Sequence, residues 1–350
     1  MERFSQFSEQ IQTLVKETSP KITLPLAAYG LYKIIGTYLL PPAVGLIKHS
    51  LRPRRNLLER YHSNWALVTG ASDGIGEAIC HELAKSGFNI VLLSRTQEKL
   101  EKVEKDLKNQ YHIETRIICF DLLELFNQEG VEKLYSSFDN LDVEISIVVN
   151  SAGKAHVNPI HKHTIDMCFF MVNVNVNAML FITRYFSAKF VDNYQRQREQ
   201  FAQPNKPFRR SAIINISSIS ALGFGKQVSL YSATKAFDRV FSNTVAVDYE
   251  SEGIDVLTVT PMNVRTGMNS GIYLGTITAQ QHAKAVIDQL GWERETIGHW
   301  RHYLQGALSD FPPTNFLISR INMKRRQQFI LKRDQLEKQQ KEKEALEKTQ

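Results

Sequence analysis

Tyr231 and Lys235 stand four residues apart where a helical pattern opens near Leu230, so both side chains project from one helix face, one turn apart. An ammonium held beside a phenol favours the ionised oxygen, which makes such a tyrosine an effective proton-transfer group. Tyr231 can then give a proton to a substrate oxygen, while Ser218 upstream hydrogen-bonds that oxygen as charge builds on it. Reduction of a carbonyl is the chemistry these three groups suit. Taken alone, Tyr-x-x-x-Lys describes equally well a surface lysine beside a half-buried tyrosine, and its context has to decide.

Ala212, Ile213, Ile214 and Ile216 mark a buried strand that ends at the pair Ser217-Ser218, and a glycine-punctuated loop joins it to the helix. Trp65 to Thr69 form an earlier apolar strand, after which Gly70-Ala71-Ser72-Asp73-Gly74-Ile75-Gly76 opens a helix near Glu77. Glycines there let the backbone bend sharply and approach a pyrophosphate, and the helix N-terminus adds unpaired N–H groups and a favourable dipole. The spacing is Gly-x-x-x-Gly-x-Gly, distinct from the commoner Gly-x-Gly-x-x-Gly. The second strand, Asn89 to Leu93, ends in Ser94-Arg95-Thr96 and carries no acid for a ribose 2′-hydroxyl. Arg95 either accepts a 2′-phosphate, which makes NADP(H) the expected cofactor, or caps the next helix in solvent.

A third strand over Arg116 to Phe120 leads into Asp121, and a fourth over Ile145 to Val149 ends in Asn150-Ser151-Ala152-Gly153. Cys168 to Phe186 reads as one long helix carrying Asn173, Asn175 and Asn177, each costly there unless paired. Asp192 to Arg210 is polar and proline-interrupted, the pattern of a surface loop. Val256 to Val259 form another strand before Thr260-Pro261-Met262-Asn263-Val264-Arg265-Thr266, and a helix beyond Ile277 precedes a last strand near Thr296 to Trp300. His156, His161 and His163 share a loop with no cysteine or paired acid beside them, so no metal is expected.

The glycine turn, the serine before Tyr-x-x-x-Lys and the strand-end motifs cover roughly Trp65 to Met268, and together they resemble the short-chain dehydrogenase/reductase family. The resemblance implies a doubly wound, Rossmann-type three-layer α/β domain with a mostly parallel sheet of about seven strands. It implies an NADPH site built by Gly70, Ser72, Asp73, Gly74, Ile75, Gly76, Ser94 and Arg95, with Asp121 against the adenine. Asn150, Ala152 and Gly153 then border the nicotinamide ribose, and Pro261, Val264 and Thr266 meet the carboxamide and phosphates. Ser218, Tyr231 and Lys235 become the catalytic group, with Tyr231 and Lys235 also touching the cofactor. Asn175 completes a tetrad through water, with Asn173 as the other choice. Ser151 and Met262 depart from the family's usual asparagine and glycine. The second departure resembles the membrane-associated very-long-chain 3-oxoacyl-CoA reductase and hydroxysteroid dehydrogenase subgroup, as does the Tyr-Ser-Ala-Thr-Lys wording at 231–235.

An apolar content of 43% supports a sizeable core, and net charge is +7. Residues 324–350 hold nine basic against five acidic side chains, more than half of that excess, so the rest is near neutral and offers no nucleic-acid surface. Cys80, Cys119 and Cys168 lie far apart in apolar contexts and are expected as buried, reduced thiols. From Ile22 to Ile47 only Lys33 is charged; as a helix the stretch spans about 39 Å, enough to cross a bilayer. Lys33 costs about 3 kcal/mol at mid-membrane and Pro41-Pro42 would break or kink the last third, so an interfacial hairpin or a helix docked on a partner subunit is also open. Lys48, Arg52, Arg54 and Arg55 follow without an acid, which places the globular part in the cytosol, on an endoplasmic reticulum membrane given the resemblance.

The expected divisions are a polar N-terminus (1–21), a membrane-associated segment (22–47), a basic linker (48–62), the dehydrogenase domain (63–310), and a C-terminal extension with a charged tail (311–350). The expected activity is NADPH-dependent reduction of a lipophilic ketone, a long-chain 3-oxoacyl-CoA first and a 17-oxosteroid second. A catalytically silent membrane scaffold is the rival of another class. Expected partners are the small-molecule substrate and membrane lipid, with a homodimer left open.

Overall fold

In a computed structural model the described residues are 20–200, 208–223, 226–267 and 275–310, with a few positions before residue 20. The charged tail at 311–350, Met268 and more than half of the polar N-terminus lie outside them. The chain divides into two compact units, residues 1–46 with 303–350 and residues 47–302.

Helix α1 (Pro20–Ile34) of the first unit passes through a π turn (Ile35–Leu39) into helix α2 (Leu40–Leu51), whose last residues, from Ile47, are counted in the second. The proline pair was expected to break this segment, yet the helix continues. The Leu40 N–H reaches back to the Ile35 carbonyl, and this wider turn stands just ahead of Pro41, whose ring would press on a carbonyl four residues back. Leu24, Leu26, Leu31, Tyr32 and Leu39 are exposed, and Lys33 lies over the Tyr29 ring at 5.7 Å. Ile22–Lys48 is long and apolar enough to cross a membrane; Ile165–Gln200 passes the same test but is partly buried within the second unit.

The second unit begins with the basic linker and a short helix, α3 (Leu57–Arg60). The linker's charges are engaged by acids of the same unit. Lys48 and Arg52 meet Glu293 at 2.8 and 2.6 Å, Arg54 meets Asp288 at 2.7 Å, and Arg55 lies 3.7 Å over the Trp292 ring.

Strands β1 (Trp65–Thr69), β2 (Asn89–Ser94), β3 (Thr115–Cys119), β4 (Ile147–Asn150), β5 (Ser211–Ile216), β6 (Ile254–Val259) and β9 (Glu295–Thr296) form one sheet. Their spatial order is β3-β2-β1-β4-β5-β6-β9, every pair parallel. Two short strands, β7 (Val264–Arg265) and β8 (Ile277–Thr278), pair separately. Helices α4 (Gly74–Lys85), α5 (Gln97–Tyr111), α6 (Gln128–Asp139), α7 (Ile165–Val172), α8 (Ala178–Gln200), α9 (Ser229–Asp248) and α10 (Ala279–Gln289) cover its faces, and α11 (Trp300–Asp310) ends the described chain.

All five residues of β1 are buried, as parallel strands sandwiched between helices require. One core joins Ile79, Leu83 and Val286 to the sheet; the other joins Phe138, Phe186 and Phe190 to its opposite face. Strand order reverses between β1 and β4, so their carboxyl ends flank the crevice where such sheets take nucleotides.

Four expectations change. The asparagine-bearing helix is split by a π turn at Asn173–Asn177, and its second part, α8, runs on through Gln200. Asp192–Gln200 is therefore helical, since its Gln, Arg and Glu favour helix and the proline interruption comes later. The last strand is only Glu295–Thr296, because Gly298 at φ +82° turns the chain away. Of the cysteines only Cys80 is buried; Cys119 is exposed where β3 ends, and Cys168 is half-buried on α7.

Candidate active site

At the end of β1, Gly70 (φ +65°) and Gly74 (φ +67°) adopt backbone that side chains resist. A Cβ on Gly76 would sit 2.3 Å from the Gly70 carbonyl oxygen, so the first turn of α4 can approach the loop only as glycine. Thr69 Oγ1 accepts from the Ser151 and Ala152 N–H groups, both at 3.0 Å, and so ties the end of β4 to this turn.

The result is a cleft of about 390 Å³ over the strand ends. Of the residues expected at a nucleotide, Gly70, Ser72, Asp73, Gly74, Ile75, Gly76, Ser94, Arg95, Asp121, Ala152, Gly153 and Thr266 line it. Ser72 and Ser94 hydroxyls lie 2.9 Å apart, linking the glycine turn to the end of β2, and Arg95 is exposed at the rim. Asp121 caps the turn Leu122–Phe126 by accepting from the Leu123 N–H at 3.0 Å. The close glycine backbone, the N-terminus of α4 and the rim arginine fit a dinucleotide.

Five expected contacts are not among the residues that line the cleft: Tyr231 and Lys235, described below, and Asn150, Pro261 and Val264. Asn150 is buried, donating to Thr183 Oγ1 and Asn215 Oδ1 at 3.1 and 2.8 Å. Pro261 offers its carbonyl to the Ile219 N–H at 3.0 Å, and Val264 is packed into the core.

Behind Gly153 lie β5, α9 and the π turn. Ser218 is nearly buried and begins the turn Ile219–Leu222, its Oγ accepting from the Ser220 N–H at 3.1 Å. That turn packs on α9, whose first turn carries Tyr231, half-buried. Lys235, one turn on, is buried, and its Nζ donates to the Ile216 carbonyl at 2.8 Å and to Asp238 Oδ2 at 2.7 Å. Ser217 fixes the same helix by donating to the Lys235 carbonyl at 2.7 Å.

The π turn gives the two candidate asparagines different partners. Asn175 is buried, donates to the Lys154 carbonyl (3.0 Å) and Thr234 Oγ1 (2.9 Å), and accepts from the Lys154 N–H at 2.8 Å. Asn173 instead accepts from Asn177, which also donates to the Leu125 carbonyl. A Cβ on Gly153 would lie 3.4 Å from both Asn175 Oδ1 and Lys235 Nζ, so the end of β4 threads between these two side chains. Lys235 and Asn175 thus meet at Gly153, a residue of the cleft, with Ser218 two residues beyond the lysine's Ile216 partner and Tyr231 on the helix that carries the lysine.

Asp238 was missed by sequence reasoning, although its position three residues after Lys235 on one helix face was a usable signal. Burial opposes the Lys235 charge, but the Asp238 carboxylate and the Tyr231 phenol outweigh it and raise the lysine above its ordinary value. Burial also pushes the Asp238 carboxyl up, against the pull of Lys235. The two rises favour opposite states of the pair; the 2.7 Å contact and the Ile216 carbonyl decide for the ion pair.

A family model described as short chain dehydrogenase matches residues 64–275. Hydroxysteroid dehydrogenase-like protein 1 of Gallus gallus is 31% identical over 294 residues, spanning 81% of this chain and 80% of that protein. Very-long-chain 3-oxoacyl-CoA reductase-B of Danio rerio is 33% identical over 251 residues, spanning 69% and 73%. Among solved structures, a 7beta-hydroxysteroid dehydrogenase superposes with a TM-score of 0.62 at 23% identity, over 73% of this chain and 95% of that one. A short-chain dehydrogenase from Sphingobium yanoikuyae in complex with NADPH gives 0.57 at 22% identity, over 67% and 87%. Both superpositions are likenesses of fold.

Proposed function

The chain belongs to the short-chain dehydrogenase family and is an oxidoreductase, and on that premise we propose that it reduces a lipophilic ketone with NADPH, a long-chain 3-oxoacyl-CoA first. The observation that carries this reading is the meeting of Lys235 and Asn175 at Gly153, which lines the same cleft as the glycine turn. A reduced nicotinamide bound there supplies a hydride for the carbonyl carbon. Ser218 Oγ steadies the carbonyl oxygen, Tyr231 gives it a proton, and Lys235 keeps a cation beside the phenol. Asn175, hydrogen-bonded to the Lys154 backbone, holds the chain around the lysine in place for proton replenishment through water.

NADPH over NADH rests on Ser94 and Arg95 at the rim, where no acid stands. A membrane site, on the endoplasmic reticulum with the domain in the cytosol, rests on the exposed apolar residues of Ile22–Lys48. The 31% identity to a hydroxysteroid dehydrogenase-like protein supports a 17-oxosteroid as the second substrate class. Full-length protein in detergent, given NADPH with a panel of long-chain 3-oxoacyl-CoA and steroid ketones, tests the reading by nucleotide oxidation. Turnover of the acyl-CoA that Tyr231→Phe abolishes is the expected result. An inert wild type across the panel would return the chain to the scaffold reading.

A further inference from the structure

Lys154 follows Asn150-Ser151-Ala152-Gly153 beyond the end of β4 and lines the cleft, a contact that no motif in the sequence assigned. Its backbone is fixed from both sides. The Lys154 N–H donates to Asn175 Oδ1 at 2.8 Å, and Asn175 Nδ2 donates to the Lys154 carbonyl at 3.0 Å. The side chain is exposed, and its ammonium has neither an ion-pair partner nor a hydrogen bond among the described residues. Lys235, whose Nζ would lie 3.4 Å from a Cβ on Gly153, is by contrast committed to Asp238 and to the Ile216 carbonyl.

Four charged residues line the cleft: Asp73, Arg95, Asp121 and Lys154. The two acids oppose any ligand that carries phosphates, and Arg95 alone does not offset them. Strand order sets the two cations apart. Arg95 follows β2 and Lys154 follows β4, with β1 and its glycine turn between them. Neighbouring strands lie about 4.8 Å apart, so the two chains leave the sheet about 10 Å from each other, one on each side of the turn. The N-terminus of α4 draws phosphate to the turn itself.

We propose that Lys154 is a cofactor-binding residue whose ammonium is the counter-charge to the dinucleotide's pyrophosphate, on the flank of the glycine turn opposite Arg95. The proposal rests on the reading of this cleft as a dinucleotide site, and not on which ketone is reduced. Lysine brings a point charge on a flexible four-carbon stem, which suits a bridging pyrophosphate, whereas the planar fork of Arg95 suits a terminal 2′-phosphate. The two cations therefore divide the work: Lys154 serves NADPH and NADH alike, and Arg95 serves NADPH.

Full-length wild type, Lys154→Gln and Lys154→Arg in detergent are titrated by calorimetry with NADPH, NADH, ADP-ribose and 2′-AMP, at low and at high salt. Lys154→Gln is expected to weaken NADPH, NADH and ADP-ribose about tenfold each, since all three carry the pyrophosphate, and to leave 2′-AMP unchanged. Its dinucleotide affinity should also fall less steeply with salt than that of wild type, one ion contact being gone. Lys154→Arg keeps the charge and is expected within about threefold of wild type. Should Lys154→Gln not fold, Lys154→Met carries the same expected losses. Unchanged dinucleotide affinity in a folded variant, or a loss confined to NADPH and 2′-AMP, would overturn the proposal. Unaltered affinities beside a raised KM for a long-chain 3-oxoacyl-CoA would overturn it too, and turn Lys154 towards the substrate. A tenfold loss for NADH and ADP-ribose in a protein that reduces no ketone would sustain the Lys154 assignment and sink the reductase reading instead.

Discussion

The cleft's glycine wall and the buried lattice behind its Gly153 side are made in different ways. The nucleotide wall is backbone: two glycines at positive φ, a third with no space for a Cβ, and the N-terminus of α4. Behind Gly153, out of the cleft's lining, lies a buried polar lattice, in which Asn150 donates to Asn215, Asn215 to Ser242, and Ser242 to the Asp238 carbonyl while the Asp238 side chain holds Lys235. A wall of backbone is specified by local sequence and fails by steric clash. A lattice of coupled side chains is specified by tertiary packing and fails by loss of charge balance. Variants should therefore separate the two, the wall governing nucleotide affinity and the lattice the rate of proton transfer.

Tyr231→Phe should produce the largest effect, a fall in kcat of about a thousandfold, in the range lost with a positioned general acid, while NADPH affinity by calorimetry stays within about twofold. Gly76→Ala should do the reverse. Its Cβ would meet the Gly70 carbonyl oxygen at 2.3 Å, backbone against backbone, so the turn must open. NADPH affinity is expected to fall about a hundredfold, with about 1–3 kcal/mol of stability lost to overpacking. Equal effects of the two variants on affinity would erase the distinction between wall and lattice.

That distinction also explains what was legible beforehand. The order strand, glycine turn, helix is contiguous over Trp65–Lys85, and the parallel sheet followed from apolar strands alternating with helices. Ser218, Tyr231 and Lys235 were readable because one strand and one helix, adjacent in sequence, carry them. Asp238 was not, since a lone acid in a helical pattern reads as a solvated face until the packing shows it fully buried. Asn150 was assigned to the cofactor by its motif, but the structure turns it towards Thr183 and Asn215, a tertiary pairing that no spacing encodes. The π turn escaped notice because five residues of wider helix leave the apolar periodicity on either side nearly unchanged.

A smaller effect should appear behind the nucleotide wall, where α10 packs on α4. His282 on α10 is fully buried, both its ring nitrogens lack a hydrogen-bond partner among the described residues, and Gly298 presses close to its ring. Burial, with the charges of His302 and His299 adding to it, pushes His282 down to about 3. Above the unfolded value of about 6.5 neither state holds the proton and pH is without effect. Below it the unfolded chain binds a proton that the folded chain refuses, so stability falls as pH drops towards the folded value, by about 2 kcal/mol at pH 5. Urea denaturation at pH 7 and pH 5 should show that slope, and His282→Leu should flatten it. A slope that survives the substitution would assign the acid sensitivity to other groups.

The smallest effect should come from a part of the nucleotide wall that is side chain and not backbone. Arg95 is exposed at the rim, where solvent screens it, so its contact with a 2′-phosphate is worth less than a buried pair would be. Arg95→Ala should weaken NADPH binding about tenfold and leave NADH binding unchanged, because only the former carries the phosphate. A parallel loss for both nucleotides would mean that Arg95 holds the β2 end in shape. Nucleotide choice would then lie with Ser94 and the Ser72 hydroxyl it meets at 2.9 Å, and the nucleotide wall would prove as dependent on side-chain packing as the lattice behind Gly153.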